Sequence, residues 1–309
     1  MRLAVDLGLH HEDGLEVESA LPDPPPGEER QEPDRGKRMW YRDLKRRLWW
    51  CTYSIDRLVS MCVGRPCGIS DQVITTELPS LLDDSFITTS GFVDPQSGVS
   101  QTSYKHVAHH YFRLRLLQSE ILQVLQYNQA EMVRQASQGL IYPEMHKHLP
   151  SPYLIRYDSF RSWRDDIDRR LLHWKESAPS REQTGVEFDL QFLDLNYWQA
   201  ILMLYRQSLS VPAMFEGEYT TSDEVNSPTT HIAEMREDED RVYVKVAEAG
   251  RKILRIYRSL HRSALVSHTY LSTHHLFTAG ISYLYAIWHS PLVRSKLVSR
   301  INLLMADRH

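Results

Sequence analysis

The sequence predicts an all-α fold, a multi-helix chain with long acidic and proline-rich loops, and three observations carry that prediction. Apolar residues recur at three-to-four spacing over long stretches. No alternation of strands with helices runs through the chain. Prolines and acidic runs fall between the periodic stretches and mark where helices stop.

The chain opens on Met1 to His10, which reads as the last turns of a helix. Residues 12–36 hold Pro22, Pro24, Pro25, Pro26 and Pro33 among acidic residues and read as a loop or linker. Lys37, Arg38, Arg42, Lys45, Arg46 and Arg47 then form a basic run near Trp40, Tyr41, Trp49 and Trp50. Basic residues among aromatics can stack on single-stranded nucleic acid. The reading preferred here is a helix with a solvated charged face and aromatics in the core.

The stretch from Arg46 to Pro79 is the most distinctive. Leu48, Tyr53 (or Cys51), Ile55, Leu58, Val59, Cys62 and Val63 recur at helical spacing with Arg46, Arg47, Asp56 and Arg57 between them, which predicts a mostly buried amphipathic helix. Gly64 ends it, since glycine enters the left-handed conformation that closes a helix, and Pro66 cannot continue one. Ile69-Ser70-Asp71, the β-branched run Val73 to Thr76, and Leu78-Pro79 follow.

Ser80 to Ser103 reads as a loop with one short turn. Tyr104, Val107, Ala108, Tyr111, Leu114, Leu117, Ile121, Leu122 and Leu125 give a long helix. His106 and His110 on it have the i, i+4 geometry that can clip a metal, with His109 beside them. No further ligand accompanies them at a metalloprotease spacing, so they read as ordinary helix histidines. Leu154, Tyr157, Phe160, Trp163, Ile167, Leu171 and Trp174 mark the next helix, and Asp189 to Leu209 another that Pro212 ends. Residues 213–240 form an acidic stretch and read as a loop. Val242 to Leu260 gives a penultimate long helix. In its partner, Leu271, His275, Leu276, Ala279, Tyr283, Leu284 and Ile287 are the expected apolar face, and Gly280 the expected mark of close helix packing. Val293 to Met305 is the last amphipathic segment.

Composition sets bounds on function. A chain of 309 residues is long enough to bury a substantial core. Its 36 Lys and Arg against 40 Asp and Glu give a net charge of −4, which is not the surface of a self-sufficient nucleic-acid binder, so no direct DNA contact is expected from this chain. No window approaches the roughly 20 apolar residues of a membrane helix, and no membrane contact is expected. Cys51, Cys62 and Cys67 lack C-x2-C spacing and read as free thiols, so no metal site is assigned.

The series Arg47-Leu48-Trp49-Trp50, Ile55-Asp56-Arg57, Gly64-Arg65-Pro66, Ile69, Asp71 and Leu78-Pro79 resembles the middle homology region, or fungal-specific transcription factor domain, of the zinc binuclear cluster regulators. Ala4 to His10, His275 to Gly280 and Leu284 to Trp288 are similar to further stretches of that family. The resemblance implies one regulatory domain over 1–309, truncated at both ends and lacking the family's six-cysteine, zinc-binding DNA module. It implies control of RNA polymerase II genes in the nucleus, with other transcription factor chains or coregulators, and a small-molecule effector, as partners. The only cofactor it implies is zinc, in the absent module. Trp49, Trp50, Ile55, Leu58 and the Gly64-Arg65-Pro66 corner are expected to form the core and fix the chain's path. Arg47, Asp56, Arg57, Arg65 and Asp71 are expected to form a polar network beside that corner, because charges among buried helices require partners.

No catalytic residue is assigned. G-x-S-x-G, phosphate-binding glycine loops and H-E-x-x-H are absent from the sequence. The rival reading is a magnesium-dependent helical enzyme of the terpene synthase or prenyltransferase type, using Asp165, Asp166 and Asp168. A D-D-x-x-D motif needs an acid where Arg169 stands, and Arg161, Arg164 and Arg170 surround the cluster, which fits ion pairs better.

Overall fold

The computed structural model describes residues 1–12, 32–93, 102–136, 151–186, 188–209, 229–266 and 269–306. Among these, nine helices follow one another: α1 (Arg2–Asp6), α2 (Glu32–Val63), α3 (Lys105–Ala136), α4 (Phe160–Glu176), α5 (Arg181–Thr184), α6 (Leu190–Arg206), α7 (Thr229–Arg262), α8 (Tyr270–His289) and α9 (Pro291–Ala306). The only described strands are β1 (Ile87–Thr88) and β2 (Gly91–Phe92), an antiparallel hairpin in what the sequence marks as a loop. The all-α expectation holds. The chain divides into two compact units, Met1–Asp158 with Leu172–Asp189, and Ser159–Leu171 with Leu190–His309.

Two helices begin inside stretches read as loops. The helix α2 starts at Glu32, before the expected loop end at 36, and α7 starts at Thr229, within 213–240. Charged sequence is compatible with a solvated helix, so charge alone does not separate the two states. The remainder of both stretches, 13–31 and 213–228, lies outside the described residues.

In the first unit, α2 buries Trp49, Trp50 and Tyr53 in a core with Ala4, Leu9 and Phe112, and Ile69, Ile74 and Leu78 pack around it. This corrects the expected face. Leu48, Ile55, Val59 and Val63 are exposed, and Leu58 is half-buried. The helix carries apolar residues on two sides, and the side with the aromatics and Arg57 is the one turned inward. Gly64 closes α2 with φ of 64°, the left-handed geometry expected of it. The strap after it is pinned at several points. Thr75 donates its N–H to the His10 carbonyl (3.0 Å), Thr76 Oγ1 donates to the Leu9 carbonyl (2.7 Å), and Trp50 Nε1 donates to the Glu77 carbonyl (2.8 Å). Arg46 grips both oxygens of Glu12 (2.6 and 2.7 Å) and reaches Glu77 (2.6 Å).

In the second unit, the first part of α4 buries Trp163, Ile167 and Leu171, and α6 buries Tyr197, Trp198, Ile201, Leu204 and Tyr205. The helix α7 packs against both α6 and α8. Close packing falls on Gly250 rather than on Gly280. A Cβ at Gly250 would lie 2.9 Å from the Ala279 carbonyl oxygen and 3.0 Å from Tyr283 Cβ, whereas one at Gly280 would meet nothing within 4 Å. On the expected inner face of α8, Ala279 is buried and Leu271, His275, Leu276, Tyr283 and Ile287 are half-buried, but Leu284 is exposed, and Ser272, Ser282 and Ala286 are buried in addition.

Candidate functional site

The site expected at the end of α2 is a charge cluster built on Asp71. A 3-10 turn, Asp71–Val73, carries this carboxylate, and the strap's return places it under α2 and α3. Five side chains donate to it. Tyr53 Oη (2.9 Å) and Arg57 Nη2 (2.6 Å) reach Oδ1, and Ser119 Oγ (2.6 Å), Gln123 Nε2 (2.8 Å) and Tyr153 Oη (2.9 Å) reach Oδ2.

Arg57 has no exposed surface and is equally saturated. Its Nη1 donates to Asp56 (2.7 Å), its Nη2 also to the Ile69 carbonyl (2.8 Å), and its Nε to Ser119 Oγ (3.0 Å). The guanidinium lies over the Tyr53 ring at 4.1 Å from its centroid, a cation–π contact. Asp56 also accepts the Gly68 N–H (3.1 Å), which ties the corner's backbone to the same pair.

The electrostatics follow from this packing. Burial opposes the ionised form of Asp71, but the Arg57 charge and the hydrogen bonds from Ser119, Arg57 and Tyr53 hold its pKa below the ordinary value. Burial likewise opposes the charge on Arg57, and Tyr53 and Asp71 outweigh it and raise its pKa. Burial, followed by the Asp71 charge, raises the pKa of both Tyr53 and Tyr153. Both phenols therefore stay protonated donors. A carboxylate whose two oxygens are taken up by five protein donors suits holding chain segments together rather than acid–base chemistry.

Of the residues singled out beforehand, Asp56, Arg57 and Asp71 come together here. Trp49 and Trp50 lie in the adjoining core. Arg65 and Pro66 are exposed, so Arg65 stands outside the cluster. Arg47 belongs to a second cluster, where it bonds Asp43 (2.7 Å) and Asp84 (2.8 Å). Asp84 also meets Lys105 (2.9 Å) and Tyr104 (2.8 Å), and Asp43 accepts the Ser80 N–H (2.6 Å). Burial works against the Asp84 charge, but bonds from Lys105, Tyr104 and Arg47 lower its pKa to about 2. Tyr53, Ser119, Gln123 and Tyr153 were not singled out. Ser119 and Gln123 carried a signal, since they are polar residues one turn apart beside the apolar Ile121, Leu122 and Leu125 of α3.

The two rival clusters are also engaged. His109 Nε2 bonds the Pro79 carbonyl (2.7 Å), and His110 stacks on Trp174 with ring centroids 4.3 Å apart. In the second unit, Asp165 pairs with Arg241 (2.9 Å), Asp166 with Arg169 (3.1 Å), and Asp168 with Lys245 and Tyr205 (both 2.7 Å). Those aspartates neutralise neighbouring cations.

The sequence pattern of the fungal specific transcription factor domain matches residues 1–176, more than half of the 309. The chain belongs to this family. The fungal specific transcription factor domain is found in transcription regulators, and the named relatives are regulators rather than enzymes, which removes the magnesium-enzyme reading. The chain is similar to the positive regulator of purine utilization of Emericella nidulans, 55% identical over 307 residues, covering 96% of this chain and 29% of that protein. It is similar at 26% identity to pyrimidine pathway regulatory protein 1 of Saccharomyces cerevisiae, covering 94% of this chain and 26% of that protein. The chain thus spans less than a third of the length of these relatives. No solved structure matches it.

Proposed function

We propose that this chain is the regulatory, middle homology domain of a nuclear zinc-cluster regulator that controls RNA polymerase II genes for purine utilization. The observation that carries the reading is 55% identity across 96% of the chain to a positive regulator of purine utilization. The domain contacts no DNA itself. It restrains or senses on behalf of DNA-binding and activating segments, through other transcription factor chains or coregulators. The net charge of −4 supports a protein-facing rather than DNA-facing role.

The test is transcript measurement with a purine as nitrogen source, in a strain whose gene lacks the codons of this chain. Changed induction of purine-catabolic transcripts, with transcripts on ammonium unaltered, is the expected result; unaltered induction on purines overturns the reading.

Effector binding is a second reading, favoured by one feature of the second unit. A cavity of about 240 Å³ is lined by Val244, Ala247, Arg251, Tyr283, Val293 and Lys296, among others. Glu248 also lines it, so apolar walls with one carboxylate and two cationic groups suit a small metabolite that carries both polar and apolar parts. Thermal shifts across a panel of purines and other small metabolites test it, and uniformly null shifts remove it.

A further inference from the structure

The helix α8 buries small residues on one side, half-buries Leu271, Leu276, Tyr283 and Ile287, and exposes a further set of large residues. Ser272, Ala279, Ser282 and Ala286 are buried, while Tyr270 is 71% exposed, Phe277 67%, Ile281 47%, Leu284 66% and Trp288 74%. The exposed residues, with Thr273, recur every three or four positions and form one stripe along the helix. No Asp, Glu, Lys or Arg occurs between Tyr270 and His289. A helix apolar on both faces is built to be covered on both faces.

We propose that a second copy of this chain covers the stripe, by antiparallel pairing of the two α8 helices about a two-fold axis at Gly280 and Ile281. The spacing of the stripe suits that symmetry. Phe277 and Leu284 lie one turn to either side of the axis, so each meets the other residue type of the second copy. Thr273 and Trp288 lie two turns to either side, which sets the largest side chain against the smallest of the stripe. Gly280 shares this face, and the open space around its Cβ position lets two backbones approach at the crossing.

Charge and area favour the second copy over a charged partner. An uncharged stripe does not repel its own image, and it offers no counter-ion to a charged helix. With aromatic side chains burying 150–250 Å² each, the exposed parts of these five residues amount to about 600 Å² per copy and about 1,200 Å² for the pair, at the lower bound for a specific interface.

Light scattering on the purified chain over a concentration series tests the proposal. The wild-type chain is expected at twice the monomer mass, and Leu284→Lys at the monomer mass. Gly280→Leu is the second variant. Its side chain fills the crossing point of the pair but enters open space in the monomer, where leucine also favours the helix. It is expected to weaken dimerisation at least tenfold while melting no lower than wild type at dilutions where both are monomeric. A wild-type chain that stays monomeric at its highest soluble concentration overturns the proposal, as does a dimer that Leu284→Lys and Gly280→Leu both leave intact.

Discussion

Arg57 donates to Asp71 across 2.6 Å from a position with no exposed surface, and that bond joins the end of α2 to the strap that folds back beneath it. Ser119, which donates to Asp71 and accepts from Arg57, brings α3 into the same pair. Removing Arg57 leaves the Asp71 charge buried without its counter-ion, and removing Asp71 leaves the buried Arg57 with Asp56 alone. Arg57→Met and Asp71→Ala are each expected to destabilise by about 3–5 kcal/mol. Asp56→Ala is expected to cost less, about 1.5–3 kcal/mol, because it removes bonds to one charged group and one backbone N–H. Urea denaturation midpoints check the order.

His110 contributes to the acid response of the first unit. It is 4% exposed, and burial, followed by the nearby Arg113 charge, lowers its pKa to about 4. An unfolded histidine titrates near 6.5, so between about 6.5 and about 4 the unfolded chain binds the extra proton. Its contribution is full above about 6.5 and falls as the pH drops through this window. His110→Phe keeps a ring against Trp174 and removes the titration. Thermal melts of this variant are expected to show a shallower slope between pH 6.5 and 4, with the remainder left by His109, whose pKa burial also lowers.

Asp84 acts further down the scale. Its folded pKa of about 2 lies below the unfolded value of about 3.9, so its contribution is present above about pH 4 and is lost as pH falls toward 2. The carboxylate is half-exposed, and salt screens it. Asp84→Asn is expected to flatten the stability slope over that window in low salt, and to do so less in high salt.

Gly250 and Gly280 are predicted to respond in opposite directions. Gly250→Ala pushes a methyl to 2.9 Å from the Ala279 carbonyl oxygen, and the overpacking is expected to cost about 1–3 kcal/mol, more than the gain in helix propensity. Gly280→Ala meets open space and is expected to stabilise the monomer by up to about 1 kcal/mol. Melting both variants at low concentration makes the comparison.

The order of helices was legible from the periodic spacing of apolar residues, and the stop at Gly64 from the glycine itself. Which face turns inward was not legible in α2, and in α8 it was legible except at Leu284. Both carry apolar residues on more than one side, and the choice depended on partners distant in sequence, as Leu48, Ile55 and Leu284 show. The cluster at Asp71 was half legible. Asp56, Arg57 and Asp71 fall within one short stretch, but Ser119, Gln123 and Tyr153 reach Asp71 from 48, 52 and 82 residues away. Only the folded path brings them there. Arg65 was misplaced because a charge beside a turn can as readily point to water as to a partner.

The most direct measurement is a double-mutant cycle on the first unit's central pair, combining Arg57→Met with Asp71→Asn and reading unfolding free energies in urea. A buried, hydrogen-bonded pair predicts strong coupling, with the double variant more stable than the sum of the two single losses by about 1–3 kcal/mol. Additive losses would contradict the claim that Arg57 and Asp71 act as one latch holding α2, the strap and α3 together.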